Sequence, residues 1–418
     1  MIETRLCFVH LLFVHYPYLF IMKILLVNKF YYLRGGDCMA TFGTERLLRS
    51  CGHEVAIFSM RYPSNVPSEW ERYFPKEVAF SFSTLSKAIS AITRLFHSTE
   101  VARNFKRLLS DFQPDIVHLH NIHSYLSPLV ARIAHQGGVR VAWTMHDFKL
   151  VCPSYLCLRD GAPCEACFKK KRNVILHRCM KGSFFASLLA FLEACYWNKR
   201  KLLRYTDVFI SPSAFLKTKM VAAGFPSKKI VKLSNFAPKN LICETVKDGY
   251  YCYVGRLSTE KGVDDLLEVA EHFPYRLKVA GGGPLLEAYR QKYVSGHIEF
   301  LGQLPPDDVY AVVRKARLLV APSVCYENNP LSMIEALCMG TPVCGADIGG
   351  IPELIEHGKN GYLFRAGDRR DLLNSMTLCF ERLSSPDLYR EISTCAQNKF
   401  GAMTFYHKLL NIYETKCF

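Results

Sequence analysis

Short apolar runs alternate with longer amphipathic stretches along almost the whole chain. The runs are rich in β-branched and aromatic residues and apolar on both faces, which is typical of parallel strands buried between helices. Ten runs are predicted as strands, at residues 23–28, 54–59, 115–120, 139–144, 207–212, 250–255, 276–281, 298–302, 317–323 and 341–346. Because helical stretches separate them, the pattern predicts an α/β protein with two doubly wound, Rossmann-like domains facing each other across a cleft.

The 418 residues are enough for two domains. The alternation of strands and helices is interrupted between residues 230 and 248, and we assign residues 233–248 to a linker. The predicted boundaries are residues 22–232 for the first domain, 249–395 for the second domain and 396–418 for a terminal helix.

Residues 1–21 do not fit the first domain. Their apolar run is interrupted by His10, His15 and Pro17, so it is too short and broken for a membrane span. It also lacks the small-residue cleavage site of a signal peptide. The sequence MKILLVNKF, which starts at Met22, is typical of the first strand of a doubly wound domain. We therefore expect translation to begin at Met22, with residues 1–21 extraneous or disordered.

Charge is distributed unequally between the two halves of the chain. Residues 1–238 carry a net charge of +18 and residues 239–418 a net charge of −2. A basic half indicates an anionic partner, either a membrane leaflet or a phosphate-bearing acceptor, with nucleic acid as the alternative. The sequence has no helix-turn-helix, zinc-finger or ribonucleoprotein signature, so we expect no nucleic acid partner.

Residues 184–205 join an apolar stretch to a basic end that carries Trp197. This pattern fits a helix lying at a membrane surface, and it fits equally well an ordinary helix with one face toward the core. Together with the basic first half, it leads us to expect a cytoplasmic protein attached peripherally to the inner face of the cytoplasmic membrane.

The 17 cysteines are spread irregularly over both halves, which indicates a reducing compartment. Five of them fall between residues 152 and 179, namely Cys152, Cys157, Cys164, Cys167 and Cys179. Four thiolates here, Cys152, Cys164, Cys167 and Cys179, are candidates for a structural zinc site. The alternative is a loop of reduced thiols, and the sequence leaves both open.

Two glutamates eight positions apart follow the predicted strand at residues 317–323. We predict a helix over residues 330–339, with Asn329 as its N-cap and Pro330 at its first position. Glu327 then lies in the loop at the carboxyl end of a strand, and Glu335 lies inside the helix. Ligands of α/β sheets bind at this edge, so one carboxylate can face a polyhydroxylated ligand and the other a ribose diol. Alternatively, both are solvated surface residues.

Two cations lie in a glycine-bounded loop at the carboxyl end of the strand predicted at residues 250–255. Arg256 and Lys261 suit the binding of a diphosphate there, although each alone is more often a solvated cation. The chain has no Asp-x-Asp pair to hold a magnesium diphosphate, so we expect no cofactor to be required and leave metal binding open. Gly36, after the first strand, offers a second exposed backbone loop.

Several motifs together resemble the retaining GT-B glycosyltransferases of family 4, the glycosyl transferases of group 1. They are WTMHDF, YVGRLSTEKGVDDLL, AGGGP, the Glu-x7-Glu element with ENNPL, and GGIPELIEHGKNGYLF. The resemblance extends over nearly the whole chain from Met22. It implies the GT-B fold, in which the first domain lies on the acceptor side and the second binds the nucleotide sugar. It also implies that the last helix, near residues 400–416, crosses back to the first domain.

The resemblance assigns roles at the diphosphate, at the transferred sugar and at the reacting centre. Arg256 and Lys261 correspond to the pair that binds the donor diphosphate, and Gly36 to a glycine-rich loop near phosphate and acceptor. Glu327 corresponds to a glutamate that contacts the hydroxyls of the donor sugar. His146 corresponds to an active-site histidine near the reacting centre, and we expect the adjacent Asp147 to orient its imidazole.

The remaining assignments concern the ribose and the backbone amides at the helix N-terminus. Glu335 corresponds to the glutamate that binds the ribose hydroxyls. Backbone amides from Asn328, Asn329 and Leu331 are expected to add hydrogen bonds to the donor at the helix N-terminus.

The resemblance implies that a hexosyl unit is transferred from a nucleotide diphosphate sugar to an acceptor hydroxyl with retention of configuration. The acceptor is expected to be lipid-linked or a polysaccharide, in the assembly of lipopolysaccharide, capsule or exopolysaccharide. Two alternatives stay open. One is a GT-B sugar-nucleotide epimerase, which needs no acceptor, and the other is a non-catalytic sugar-nucleotide-binding subunit.

Overall fold

The structure is a computed structural model that describes residues 21–78, 85–237 and 241–415. Its strands are β1 (Lys23–Val27), β2 (Glu54–Phe58), β3 (Ile116–Leu119), β4 (Arg140–Thr144), β5 (Leu158–Arg159), β6 (Ala162–Pro163), β7 (Val208–Ser211), β8 (Ile230–Lys232), β9 (Tyr250–Val254), β10 (Arg276–Ala280), β11 (Ile298–Gly302), β12 (Leu319–Ala321), β13 (Val343–Ala346) and β14 (Gly361–Phe364). The extension predicted at residues 1–21 lies outside the described residues except for Ile21.

Helices connect these strands. They are α1 (Gly36–Ser50), α2 (Leu85–Phe96), α3 (Thr99–Phe112), α4 (Leu129–Gln136), α5 (Ala166–Lys169), α6 (Asn173–Leu176), α7 (Phe184–Tyr196), α8 (Lys199–Tyr205), α9 (Ala214–Ala222), α10 (Val263–Ala270), α11 (Leu286–Lys292), α12 (Pro306–Lys315), α13 (Leu331–Cys338), α14 (Arg369–Arg382), α15 (Pro386–Phe400) and α16 (Ala402–Glu414). Short 3₁₀ turns lie at Glu71–Tyr73, Ser227–Lys229, Thr259–Lys261 and Ile351–Glu353.

Two parallel sheets organise the molecule. The first has the strand order β2-β1-β3-β4-β7-β8 and the second the order β11-β10-β9-β12-β13-β14. Every ladder within these two sheets is parallel. The prediction of two doubly wound Rossmann-like domains is therefore confirmed. Each sheet also contains one strand that was not predicted, β8 in the first and β14 in the second.

Both faces of the second sheet are buried, as its apolar strands require. Along β9, Tyr251 and Tyr253 enter one hydrophobic cluster, while Tyr250 and Cys252 enter another on the opposite face. Successive side chains of a strand point to opposite faces, so this division places helices on both sides of the sheet. The carboxyl edges of the strands are left free for a site.

The C-terminal helices connect the two domains. Helix α15 packs against α13 in the second domain, and the chain changes direction at Gly401, whose backbone is extended. Helix α16 then enters the core of the first domain, where Tyr406 bonds to His53 (2.8 Å) and Tyr413 to His118 (2.7 Å). The change of domain thus occurs at Gly401, later than the predicted boundary at residue 396, because α15 is one continuous helix.

The single helix predicted over residues 184–205 is two helices, α7 and α8, separated at Trp197 and Asn198. Trp197 is buried, and its indole Nε1 donates a hydrogen bond to the carbonyl of Leu95 at 2.8 Å. This contact matches the alternative that was left open, a helix with one face toward the core, at the position of Trp197. In the described part of the chain, no helix is both long and apolar enough to cross a membrane.

Candidate functional site

A cavity of about 300 Å³ lies between the domains, where β3 and β4 of the first sheet end. Its walls come from α1 and the strand ends of the first domain, from α13 of the second domain, and from α16. His146, Leu331 and Glu335, which were predicted as site residues, line this cavity. Arg256, Lys261 and Glu327 lie outside its lining, at the strand ends of the second sheet.

Lys261 and Glu327 are in direct contact. Lys261 ends the 3₁₀ turn that follows β9, and Glu327 lies in the loop after β12, the strand beside β9. The ammonium Nζ is 2.5 Å from Glu327 Oε1, and the Ser323 hydroxyl donates to the same oxygen at 2.6 Å. The sequence assigned these two side chains to different parts of a ligand, and the structure brings them together at one point.

This ion pair is partly buried, and its charges support each other. Burial alone raises the pKa of Glu327, but the Lys261 ammonium and the hydrogen bonds from Lys261 and Ser323 hold it below its usual value. Burial likewise lowers the pKa of Lys261, and Glu327 more than offsets this, so that it lies above its usual value. Both groups are therefore charged at neutral pH.

A glycine permits the close approach of the two loops that carry the pair. Gly262 has a left-handed conformation (φ 64°), and a Cβ at this position would lie 2.0 Å from the carbonyl oxygen of Pro322. Any larger residue would therefore push the Lys261 turn away from the loop that carries Glu327.

Arg256 is exposed in the loop after β9. Its carbonyl accepts a hydrogen bond from the hydroxyl of Tyr253 at 2.9 Å, which fixes the backbone of this loop. Within the described residues, the guanidinium has no hydrogen bond or ion pair with the protein. Its charge is thus available to an anion from the solvent side.

Asn328 and Asn329 connect the two domains. Asn328 donates to the carbonyl of Met145 (2.9 Å) and accepts from the hydroxyl of Ser213 (2.7 Å). Asn329 is bonded on both its side chain and its carbonyl to Asn235, at 2.7 and 2.8 Å. The prediction that Asn329 caps the helix is wrong, because Pro330 is still extended (ψ 120°) and α13 begins at Leu331. No side chain caps this helix, so its first amides stay available.

Glu335 lies on α13, one turn after Leu331, and its carboxyl group borders the cavity. The hydroxyl of Tyr310 donates to Oε1 at 3.2 Å. Burial raises the pKa of Glu335 to about 7, and the hydrogen bond from Tyr310 opposes this increase only in part. Its charge state is therefore variable near neutral pH, in contrast to that of Glu327.

His146 is held by another histidine. Its Nε2 is 2.9 Å from Nδ1 of His120, and the two rings are stacked with centroids 5.2 Å apart. Burial lowers the pKa of His146 to about 4, so the ring is neutral at physiological pH. The expectation that Asp147 orients His146 is wrong. Asp147 instead faces His123 (3.8 Å) and accepts from the amide of Lys149.

Comparison with known proteins gives the family of the chain. The sequence model of the glycosyl transferases group 1 matches residues 243–395, and that of the glycosyl transferase 4-like domain matches residues 43–235. The chain is therefore a glycosyltransferase whose second domain matches group 1 and whose first domain matches the 4-like domain. Among curated relatives, this glycosyltransferase is 26% identical to an uncharacterized protein in the cps region of Klebsiella pneumoniae, over 80% of this chain and 87% of that protein.

One further curated relative and two solved structures are also similar to this chain. WcaL of Escherichia coli, whose name assigns it to colanic acid biosynthesis, is 26% identical over 45% of this chain and 51% of its own length. Among solved structures, HepE of Anabaena in complex with UDP-glucose has a TM-score of 0.64 and 16% identity, covering 94% of this chain and 99% of that one. The sucrose-phosphate synthase of Thermosynechococcus elongatus has a TM-score of 0.66 over the same share of this chain. These structures share the GT-B fold.

Gly36 is the first residue of α1 in this glycosyltransferase. A Cβ built there meets no atom within 4 Å, so packing within the described protein does not require a glycine. The next residue, Asp37, accepts a hydrogen bond from Asn121 at 2.8 Å and stabilises the protonated form of His146. Gly36 and Asp37 themselves do not line the cavity that His146 borders, whereas Met39 and Ala40, farther along α1, do.

Sequence reasoning missed His118 and His120, which both line the cavity. They lie two positions apart on and just after β3, and their ring centroids are 4.3 Å apart. His118 bonds to Thr144 and, on its other nitrogen, to Tyr413 of α16, both at 2.7 Å. The signal was present, since residues at i and i+2 of a strand share one face.

The cysteine group does not form a metal site in the described structure. Cys152, Cys157 and Cys167 are buried, whereas Cys164 and Cys179 are partly exposed. Among the residues that are described, no group of three or more His, Cys, Asp or Glu side chains is arranged to hold a metal ion. The thiol of Cys152 is 3.2 Å from the hydroxyl of Ser154 and within reach of hydrogen bonds from Cys157 and Cys167, which lower its pKa.

Proposed function

We propose that this chain is a retaining glycosyltransferase that moves a hexosyl unit from a nucleotide diphosphate sugar to an acceptor hydroxyl. The observation that carries the proposal is the partly buried ion pair of Lys261 and Glu327 at the ends of two adjacent strands, with Glu335 on the helix that follows. Ligands of doubly wound sheets bind at this edge. HepE, a structural relative, binds UDP-glucose.

In the proposed complex, the donor lies across the ends of the second sheet. Its diphosphate lies between the exposed Arg256 and Lys261, with the backbone near Gly36 on the opposite side. Glu327 accepts hydrogen bonds from the hydroxyls of the transferred sugar, and Glu335 accepts them from the ribose. These roles follow the order of the side chains along the loop and the helix.

The backbone amides of Asn328, Asn329 and Leu331, at the start of α13, add hydrogen bonds to the donor. The helix has no side-chain cap, and an anion or polar ligand favours such an end. Asn329 contributes through its backbone, because its side chain is bonded to Asn235.

The reaction exchanges one bond to the anomeric carbon for another. The bond from this carbon to the diphosphate oxygen breaks, and the acceptor oxygen bonds to it on the same face, while the acceptor proton passes to the departing diphosphate. Arg256 and Lys261 stabilise the charge that develops on the leaving group. The neutral His146 lies beside the reacting centre, where it hydrogen-bonds the sugar and excludes water.

The acceptor is proposed to be lipid-linked or a polysaccharide, in the assembly of a capsule, lipopolysaccharide or exopolysaccharide at the inner face of the cytoplasmic membrane. Two relatives support this proposal, the Klebsiella protein of the cps region and WcaL of colanic acid biosynthesis. The net charge of +18 on residues 1–238 suits an anionic acceptor surface.

A screen of nucleotide sugars tests the proposal. The release of nucleoside diphosphate is measured with and without lipid-linked and polysaccharide acceptors, and the product is analysed by NMR. A transferase releases nucleoside diphosphate from one of the donors when an acceptor is present. The product keeps the anomeric configuration of the donor. An epimerase would consume the donor without acceptor, a binding subunit would release nothing, and an inverted product would refute retention.

A further inference from the structure

Three large apolar side chains are exposed on the segment formed by α6 and α7 in the first domain. Phe185 is 73% exposed, Leu176 is 67% exposed and Phe184 is 46% exposed. Leu176 ends α6, which packs against α7, and the two phenylalanines are the first residues of α7. The Ser183 side chain caps α7 by accepting from the amide of Ala186, which stabilises the start of the helix that carries both phenylalanines.

A second row of apolar side chains lies farther along α7. Leu192 is 42% exposed, and Ile92 on the neighbouring helix α2 is 39% exposed. Helices α2 and α7 are in contact, and Phe96 and Tyr196 pack edge-to-face near their carboxyl ends. Leu192 is seven residues after Phe185, about two helical turns, so these two side chains lie on the same side of α7.

The same region is strongly basic. Residues 169–204 contain ten lysines and arginines and one acidic residue, Glu193. Glu193 is buried and bonded to Lys149 (2.9 Å) and Ser124 (3.0 Å), so no acidic side chain of this segment faces the solvent. Arg178 and Lys181, which are exposed, lie in the turn between Leu176 and the phenylalanines.

We propose that this surface, formed by Leu176, Arg178, Lys181, Phe184 and Phe185, docks on an anionic lipid membrane. Exposed aromatic rings among lysines and arginines fit the boundary between headgroups and acyl chains, and the cations are attracted to anionic headgroups. The amino end of α7 enters the membrane interface, whereas the rest of this helix stays packed on the protein. The inference does not depend on which sugar the protein transfers.

The docking surface is connected to the cleft through α7. Glu193 lies nine residues after Phe184, which is on the order of 14 Å along a helix. Its carboxylate binds Lys149, in the loop that follows His146. A membrane that holds the amino end of α7 therefore lies close to the acceptor side of the cleft.

Sedimentation with lipid vesicles tests the inference. The vesicles contain phosphatidylglycerol and phosphatidylcholine, or phosphatidylcholine alone, at low and high salt. We expect the wild type to bind the anionic vesicles and to lose affinity at high salt. The double variant Phe184→Ser and Phe185→Ser is expected to bind at least about tenfold more weakly. The double variant Arg178→Glu and Lys181→Glu is expected to lose at least about twenty-five-fold, since each cation contributes about fivefold.

Matched controls come from the linker, the second domain and α16. Val246 and Val294 are 74% and 84% exposed, and changing both to Ser removes exposed apolar surface elsewhere. Changing Lys315 and Lys408, both exposed, to Glu alters the net charge by the same amount. Both control variants are expected to bind vesicles like the wild type.

Three results would overturn the inference. The first is that the wild type does not bind anionic vesicles. The second is that the control variants lose as much affinity as the test variants. The third is that dextran sulfate binds as tightly as vesicles and competes with them. Loss of a dimer in the phenylalanine variant, without vesicle binding by the wild type, would assign the surface to a second copy. Circular dichroism and nucleotide-sugar binding of each variant, expected to equal those of the wild type, separate this inference from the proposed transferase activity.

Discussion

The pKa of Glu335 leads to a specific prediction for donor binding. Burial raises this pKa to about 7 in the ligand-free protein, yet ribose hydroxyls, as donors, require the carboxylate. The other charged or titratable side chains proposed to contact the donor do not change charge between pH 6 and 8. The pKa of Glu327 is below its usual value, that of His146 is lowered to about 4, and that of Lys261 is raised.

The expected effect follows from linkage between proton and ligand binding. If the donor binds only the ionised form, the apparent Kd is multiplied by about 1.3 at pH 7.5 and about 11 at pH 6.0. Affinity for the donor therefore falls about eightfold between these values, or about 1.2 kcal/mol. The direction is fixed by the sign of the shift, since protonation of a carboxyl with raised pKa competes with the ligand as the pH falls.

Isothermal titration calorimetry with an intact nucleotide sugar measures this dependence. The intact donor is preferable to the free nucleoside diphosphate, whose terminal phosphate titrates near pH 6. Repeating the titration at pH 7 in buffers of different ionisation enthalpy gives the protons released, which we expect to be about half a proton per donor bound. The variant Glu335→Gln is expected to bind more weakly at pH 7.5 and to show no pH dependence.

The variant Glu391→Gln, at an exposed position on α15, serves as the matched control and should keep the wild-type slope. The reasoning is refuted if wild-type affinity is constant from pH 6.0 to 7.5, or if Glu335→Gln retains the slope.

A stability measurement separates the pKa from the ribose contact. Because the folded-state pKa of Glu335 lies above its unfolded value, its protonated form favours folding below pH 4.5, and this contribution is lost as the pH rises through about 7. The free energy of unfolding should fall by about 3 kcal/mol over this pH range. In the variant Glu335→Gln, unfolding in urea should not show this contribution. A stability slope without a binding slope would mean that the carboxyl group is buried as described but does not contact the ribose.

Further expectations concern Lys261 of the ion pair and two glycines of the candidate site and its surroundings. Lys261→Ala should lower kcat by at least about a hundredfold while the circular dichroism spectrum is unchanged, and Lys315→Ala should leave kcat unaffected. Gly36→Ala should keep the thermal midpoint but weaken donor binding, because its Cβ meets no protein atom within 4 Å. Gly350→Ala should lower the free energy of unfolding by about 1–3 kcal/mol, since its Cβ would lie 1.8 Å from the carbonyl oxygen of Asn328. Unchanged kcat in the first variant, or an unchanged midpoint in the last, would contradict these expectations.

The two sheets were predictable because parallel strands buried on both faces leave a continuous apolar run in the sequence. The two strands that were missed, β8 and β14, are the outermost strands at one edge of each sheet. β8 has only three residues, one of them an exposed lysine, and β14 begins with Gly361. At a sheet edge, short length and mixed polarity remove the signal on which the prediction depends.

The sequence predicted which loops form the candidate site, but it predicted the contacts between their side chains less well. Adjacent strands end at one edge, so the loops carrying Lys261 and Glu327 had to be neighbours. Their direct ion pair depends on rotamers and on the glycine at position 262, which the pattern does not specify. The partner of His146 was sought in the adjacent Asp147, but it is His120, from the neighbouring strand β3. Sequence adjacency is a poor guide where parallel strands bring together residues 26 positions apart.

The loop after β12 connects the proposed donor site with the arrangement of the domains. Glu327 is held by Lys261 within the second domain, and the next residue, Asn328, is bonded to Met145 and Ser213 of the first. Met145 precedes His146, so the two domains meet through the backbone that positions this candidate active-site histidine. A movement that widens the cleft must break both hydrogen bonds of Asn328. The position of Glu327 and the closure of the cleft are therefore coupled by one peptide bond.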